Sequence, residues 1–442
     1  MAAVNPGVYK KVLAVREAYS FDIACLLIRF FGGMLNIGTV TMITLSGYSF
    51  FTAGLASSLI ALSIFVVAPR VSKRMDERGQ GAVIPKAAAI TLVGLAIQIG
   101  TVLAHGPVWP LFIGSLLVGF YPSPQAMARS RWTYLIRSGR LGEAAPDLRT
   151  MFSYESVLDD VAFIFSPSLS IALAAAIVPV AGMVAGGIGF VVGCAVLVAS
   201  RSTEPEPGWS AASLEAEAGP EAEVEAEGLS DGASAEPAPR KSLLATCAPI
   251  RVLFVIYMFM GSFLGLFDTA TVSLSEDLNS PDFAGAVLVA SGIVSMVMGF
   301  VFGMVRLRAP LPKQLVVSAC LVGLGFGTMV FVNSAASLMV VALVGAATYA
   351  PLLIIANGVC ERAVPDARLT EAITWLNAGY TCGAAFGPTT AGAIIDTFGT
   401  MASFKVGAVL CLGMPLTAIL CYRIVKRGIL PSPYTKVEKR DL

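Results

Sequence analysis

Charge is what this sequence has least of. Asp, Glu, Lys and Arg together supply 13% of its 442 residues, while 56% are apolar. A soluble globular protein carries about 25% charged residues. The imbalance excludes a string of soluble domains, since no soluble fold of this size hides so much apolar side chain, and it excludes disorder. Histidine is down to one, His105, beside Gly106 and Pro107, and it reads as a solvated turn residue. The eight cysteines form no Cys-x-x-Cys pair and have no histidine nearby, which gives neither a disulfide framework nor a metal site any support. Six of them lie in apolar runs, and Cys247 and Cys360 fall in expected inner loops. No Gly-x-x-x-x-Gly-Lys-Ser/Thr loop occurs, so a nucleotide-driven pump is excluded. No Ser-His-Asp, His-Glu-x-x-His or Cys-His arrangement occurs either; the residues call for no enzyme chemistry, no cofactor and no metal. Thirty basic residues against 29 acidic ones leave a formal charge of +1, which is no footprint for nucleic acid.

Long apolar runs are what the chain does have. A spanning helix needs about 20 mostly apolar residues. Twelve such runs are read, over 22–45, 48–69, 83–104, 108–127, 156–178, 180–200, 252–273, 284–305, 314–332, 336–358, 371–394 and 402–424. They are too long and too uniform for barrel strands, and helices satisfy every backbone amide within the bilayer. The expected fold class is therefore an all-α membrane protein of twelve transmembrane helices. The N-terminal residues are polar, with Lys10, Lys11 and Arg16, and no small-residue cleavage site follows a short apolar core; the first span reads as an uncleaved anchor.

Loop charge orients the spans. Alternate loops hold Arg70, Lys73, Arg74, Arg78 and Lys86, then a group from Arg129 to Arg149, then Arg201, Arg240, Lys241 and Arg251, and later Arg306, Arg308, Lys313, Arg362 and Arg368. The other loops carry only Lys405 as a basic residue, and one of them is acidic, with Glu276, Asp277 and Asp282. Both termini are expected in the cytoplasm, with the chain multi-pass in the cell membrane.

Between the sixth and seventh spans the composition changes. Ser202 to Arg240 holds ten acids among Ala, Pro, Gly and Ser, with Trp209, Leu214, Val224 and Leu229 as its only large apolar residues. Such a stretch buries too little to offset ordering entropy and reads as a flexible joint. The expected domains are a cytoplasmic N-terminus (1–20), a six-helix bundle (21–201), an acidic linker (202–250), a second six-helix bundle (251–425) and a cytoplasmic tail (426–442).

The halves repeat. Span five contains Ala162-x-x-x-Ser166-Pro167-x-x-Ser170, and span eleven contains Gly383-x-x-x-Gly387-Pro388-x-x-Ala391-Gly392. Both are small-x-x-x-small-Pro motifs in the fifth helix of their half, and parallel six-helix repeats are a transporter architecture. Small residues let helices approach closely, and each proline frees a carbonyl and bends its helix.

At this point the chain resembles the major facilitator superfamily over essentially its whole length. The loop after span two, Ser72-Lys73-Arg74-Met75-Asp76-Glu77-Arg78-Gly79-Gln80-Gly81, is similar to that family's signature, with Ser72 in place of a glycine and Glu77 in place of a base. The Pro motifs resemble those of proton-coupled drug antiporters, degenerate in span five and nearly complete in span eleven. The family's arginine inside span four is absent, since Arg129 and Arg131 lie at the inner end. The resemblance implies that Asp76 and Arg78, turning at Gly79, latch onto the inner N-terminus of span eleven and close the outward-facing state. That end reads Leu369-Thr370-Glu371, with Thr370 as N-cap and Glu371 as a first-turn dipole residue. The alternative is an ordinary positive-inside loop.

Charges inside spans are functional candidates, since each costs about 2.5–3.5 kcal/mol at mid-helix. Arg29 stands in an apolar run, about 10 Å below the inner surface at 1.5 Å per residue, and Asp159 and Asp160 lie at comparable depth at the start of span five. An Arg29–Asp159 or Arg29–Asp160 pair is expected, either as a coupling element or as a static ion pair. Asp268, in the outer part of span seven, is a candidate proton or cation site. In the family's fold spans one, four, seven and ten line the cavity, which makes Asn36, Tyr121, Gln125, Tyr257, Tyr349 and Asn357 wall candidates. The expected function is proton-coupled export of a small amphipathic organic compound by a monomer in the lipid bilayer. The alternative is a proton-coupled importer of a sugar or other small metabolite.

Overall fold

The computed structural model describes residues 12, 14–141, 145–207, 242–304, 309–365 and 368–429, the side chains of 148, 149, 153 and 370 excepted. Most of the acidic linker (208–241), the tail beyond Ile429 and the first eleven residues lie outside the described residues, so the readings made for them receive no structural account.

Among the described residues the chain is helical and contains no strand. Ten helices are long and apolar enough to cross a membrane: Arg16–Leu45, Phe50–Arg78, Gln80–Leu103, Thr150–Ala176, Ala181–Ala199, Ala248–Asp277, Asp282–Met304, Leu311–Phe331, Ala335–Ala363 and Thr400–Leu420. These are spans one to three, five to ten and twelve. Span eleven, Leu369–Phe398, is a long helix enriched in Thr and Gly. Span four is broken into Trp109–Val118 and Pro124–Arg137. The break has a local cause: Pro122 and Pro124 disfavour helical geometry in the residues before them. Ser123 then caps the second piece, accepting from Ala126 N at 3.4 Å.

The structure corrects the reading of span five. Its helix runs Leu148–Ala176, starting two turns before the expected residue 156, so Asp159 and Asp160 lie well inside it. Cys360, expected in a loop, is buried in the last turns of span ten, and Cys247 is the residue before span seven begins.

Two large apolar cores form, one from residues before the linker and one from residues after it, and a smaller cluster joins Ile37 and Ile171 to Val272 and Ala284 across the halves. Phe31 stacks on Phe190 at 4.8 Å in the first, and Phe263 meets Phe326 at 4.6 Å in the second. Lipid is as apolar as leucine, so burial alone does not drive helices together; close packing through small residues does. Gly383 and Gly387 of span eleven lie against span seven so tightly that an added β-carbon would stand 2.0 Å from Met258 O and 2.4 Å from Ser262 O respectively.

The halves meet on the face away from the linker. Span two touches span eleven there, span five touches span eight and span one touches span seven. Thr44 Oγ1 donates to Glu276 Oε1 at 2.5 Å, Ser168 Oγ donates to Gly285 O at 2.9 Å, and the Ser58 and Thr389 hydroxyls share a bond of 2.7 Å. Asp396, near the end of span eleven, accepts from Phe50 N and Phe51 N at the start of span two, at 3.0 and 2.8 Å.

Candidate functional site

A cavity of about 290 Å³ lies between the halves. Spans one, two and five of the first half wall it with Gly32, Gly33, Asn36, Ser57, Phe163 and Pro167. Spans seven, eight, ten and eleven supply Phe267, Asp268, Ser291, Ser295, Tyr349, Tyr380 and Pro388. The two motif prolines thus face one space from opposite halves. The wall is mostly aromatic and aliphatic with a few hydroxyls and one amide, and no Lys, Arg or His is part of it. Asp268 is its single carboxyl group, and among the described residues it forms no hydrogen bond or ion pair.

Of the wall candidates read from sequence, Asn36 and Tyr349 line this cavity. The other four are placed elsewhere. Tyr121 is buried within the first half, where its hydroxyl donates to Ile28 O at 2.9 Å and its ring lies 6.0 Å from those of Phe31 and Phe190. Tyr257 donates to Asn357 Oδ1 at 3.2 Å, which joins span seven to span ten. Gln125 accepts from Ser123 Oγ at 3.3 Å beside the break in span four. Ser166 is buried against Gly33 of span one. Tyr380, Ser57, Ser291 and Ser295 were not singled out in the sequence, because span-wide composition does not say which face of a helix turns inward.

A second polar cluster sits inside the first half. Arg29 Nε donates to Asp159 Oδ1 at 2.6 Å, and the same guanidinium pairs with Glu155 one turn earlier on span five. Arg129 reaches the other Asp159 oxygen at 3.8 Å while its guanidinium lies over the Phe152 ring. The Arg29 and Glu155 side chains are sealed at 1% and 0% exposure, whereas Asp159 is 22% exposed. Nearby, Trp132 Nε1 donates to Asp22 Oδ1 at 2.9 Å. Asp160 is exposed and outside the cluster. Glu155 went unread because span five was started at residue 156; the i, i+4 spacing to Asp159 is its signal.

The inner-latch residues are not joined to one another here. Asp76 and Arg78 are exposed at the end of span two, and Gly79 makes the turn with φ 84°. Glu371 accepts from Leu243 N at 2.8 Å and from Arg368 Nη2 at 2.7 Å, both in its own half. The Thr370 side chain, read as the N-cap, lies outside the described residues.

Residues 252–439 match the family described as Major Facilitator Superfamily. No curated protein matches the chain. Among solved structures, the nucleoside transporter NupG is similar at a TM-score of 0.67 and 14% identity, covering 92% of this chain and 99% of that one. An auto-inhibited POT family peptide transporter gives 0.65 at 13% identity, over 95% and 98%. A bacterial homologue of the iron transporter ferroportin in its inward-facing state gives 0.63 at 14%, over 94% and 98%. At such identities these likenesses carry the fold, over nearly the whole chain, and the family match carries the lineage of its second half. The second half of the chain thus matches the major facilitator superfamily, and the chain as a whole is a multi-pass membrane protein that shares the fold of these solved transporters.

Proposed function

We propose that this transporter exports a small amphipathic organic compound in exchange for protons, its two halves rocking about the central cavity. The observation that carries the reading is Asp268, a lone carboxyl group in a wall of aromatic and aliphatic side chains with no cation beside it. A carboxylate so placed gains a partner when a proton or a positively charged solute arrives, and the two compete for it. Loaded with solute, the halves expose the site to the outside; a proton arriving there displaces the solute and returns with the site. Positive-inside charge supports a cytoplasmic linker face and cytoplasmic termini in a cell membrane, and in that orientation the contacts on the opposite face close the outside. The cavity is complete within one chain, which supports action as a monomer. Asp159, held between Arg29 and Arg129 and partly exposed, is a second place where a proton exchanges for a basic partner. The packing of Gly383 and Gly387 on span seven moves those two helices as one body.

The alternative direction, proton-coupled uptake of a sugar or other small metabolite, draws its support from the hydroxyls of Ser57, Ser291 and Ser295 and the amide of Asn36 in the same wall. The test is flux of a panel of labelled cationic amphiphiles, sugars and nucleosides in proteoliposomes under an imposed pH gradient. The expected result is amphiphile flux opposite to the proton gradient, lost in Asp268→Asn while exchange without a gradient persists. Flux indifferent to the gradient ends the coupling claim, and flux of the sugars alone, along the gradient, selects the alternative.

A further inference from the structure

Spans two and eleven run antiparallel across the interface between the halves, so each begins where the other ends. They also end alike. Span two closes on Asp76-Glu77-Arg78-Gly79 and span eleven on Asp396-Thr397-Phe398-Gly399. In both, the glycine takes φ near 84° with an extended ψ, a region open to glycine almost alone, and the next helix starts at the following residue, Gln80 or Thr400. Each span thus carries a carboxyl group three residues before its closing glycine, on the side of the membrane where the other span has its N-terminus.

On the face away from the linker that carboxylate is engaged. The first amides of a helix have no partner within it. In span two, Ser49 Oγ accepts from Thr52 N at 3.1 Å, which serves one of them from within the same half. The two before it are served from the other half, by Asp396 Oδ1 on Phe50 N and Asp396 Oδ2 on Phe51 N. The charge suits the positive end of the helix dipole. One turn before Asp396, Gly392 is what allows the approach: a β-carbon there would stand 2.2 Å from Phe50 O. On the linker face Asp76 is exposed, and the Glu371 carboxylate at the start of span eleven bonds within its own half.

We infer that Asp396 is a positioning residue of the transport cycle, the far-face counterpart of Asp76, and that the two carboxylates grip the opposite helix N-termini in alternation. With Asp396 on Phe50 and Phe51 the cavity is shut on the far face. Opening that face strips both amides of their partner, and the halves regain an equivalent contact when Asp76 reaches Leu369–Glu371. The two end states are thereby held near balance by the same kind of bond. This rests on the alternating-access reading of the function, and its test does not depend on the substrate or the coupling ion.

The test is amide hydrogen exchange followed by mass spectrometry on the full chain in lipid nanodiscs. Asp396→Ala is expected to speed exchange at Phe50–Phe51 roughly five- to tenfold, as for the loss of one cap, and at the same time to slow exchange at Leu369–Glu371. Asp76→Asn is expected to do neither, and to leave the far face at least as protected as in the parent. Ser49→Ala removes a cap from within one half and is expected to speed exchange at Thr52 with no change at Leu369–Glu371. Faster exchange at Phe50–Phe51 with Leu369–Glu371 unmoved makes Asp396 a local cap and overturns the proposal; so does no change at either end. If the exchange pattern swaps as expected while proteoliposomes show no proton-driven flux, the alternation stands and the proposed coupling falls.

Discussion

Arg29 and Glu155 are sealed against each other inside the first half, with side-chain exposures of 1% and 0%. Both stand in spans, where a lone charge is costly, so each one's presence depends on the other. Asp159 adds a second carboxylate to the same guanidinium but keeps 22% exposure and a further basic neighbour in Arg129. The two acids are therefore unequal: one is fixed in the interior, the other is placed where it can exchange.

That inequality sets the first expectation. Arg29→Gln leaves Glu155 charged and uncompensated, a change of about 3–5 kcal/mol for a buried pair, and thermal unfolding in detergent should fall accordingly. Asp159→Asn should cost about 1 kcal/mol, given its exposure and its second partner. The double change Arg29→Gln with Glu155→Gln should recover more than half of the loss. Exchanging Arg29 and Asp159 for each other should fail to recover it, since the transplanted acid would face Glu155. Recovery by that exchange would show that Glu155 is not the principal partner.

Arg131 carries the second expectation. It is fully buried, and its guanidinium donates to Gln80 Oε1, Ser200 O, Thr203 Oγ1 and Leu197 O at 2.8–2.9 Å. These bonds tie the end of span six and the root of the linker to the start of span three. Lysine has a single ammonium with three donors and no planar fork, so Arg131→Lys abandons at least one of the four acceptors. A loss of about 2–4 kcal/mol is expected, together with faster protease cleavage beyond Thr203. Unchanged cleavage would place the anchoring of the linker root elsewhere.

Arg131 also shows where sequence reading stops. In the chain it is one of several basic residues beyond an apolar run, and the positive-inside rule accounts for it without further comment. Only the fold reveals that it turns inward to four acceptors. The spans themselves were legible, because twenty apolar residues in a row have few other fates. So were the glycines of span eleven, because a small-residue pattern predicts close packing without naming the partner. The cavity wall was half legible: Asp268, Asn36 and Tyr349 line it, but Tyr121 and Tyr257 turn into the interior of their own halves to satisfy a hydroxyl. Helical facing depends on the rotation of each span about its axis, and in uniformly apolar spans the moment that would report it is weak. Asp396 was missed because an acid near a helix end beside a loop looks solvated until the other half is laid against it.

The packing of span eleven on span seven gives a third expectation, with an internal control. A β-carbon at Gly383 would stand 2.0 Å from Met258 O and 2.8 Å from Ser262 N, both backbone atoms that cannot rotate away. Gly383→Ala should therefore destabilise by about 1–3 kcal/mol, as overpacking does. Gly303, near the end of span eight, has nothing within 4 Å of the same position. Gly303→Ala should be neutral or stabilise by up to about 1 kcal/mol, from helix propensity alone. Thermal unfolding of the two variants side by side separates contact from propensity, and equal shifts in both would dismiss the close approach of spans seven and eleven as a source of stability.

The size of the cavity gives the last expectation. At about 290 Å³ it lies at the lower end for small-molecule sites, which run from about 300 to 1,000 Å³. Ser291 of span eight stands in its wall, with its hydroxyl turned back to Val287 O at 2.7 Å. Ser291→Leu keeps the helix, gives up only that local bond and puts a larger side chain at the wall. Binding should then fail first for the bulkiest solutes and last for the smallest, whereas Asp268→Asn should weaken cationic solutes with little regard to size. Ligand-induced stabilisation measures both, since the midpoint rises with the ratio of ligand concentration to its dissociation constant. A graded loss with solute size in Ser291→Leu, set against a loss by charge in Asp268→Asn, assigns shape and charge recognition to neighbouring spans of one half around one space. If Ser291→Leu leaves the size series untouched, solutes bind outside this cavity, and the central carboxylate acts on the proton alone.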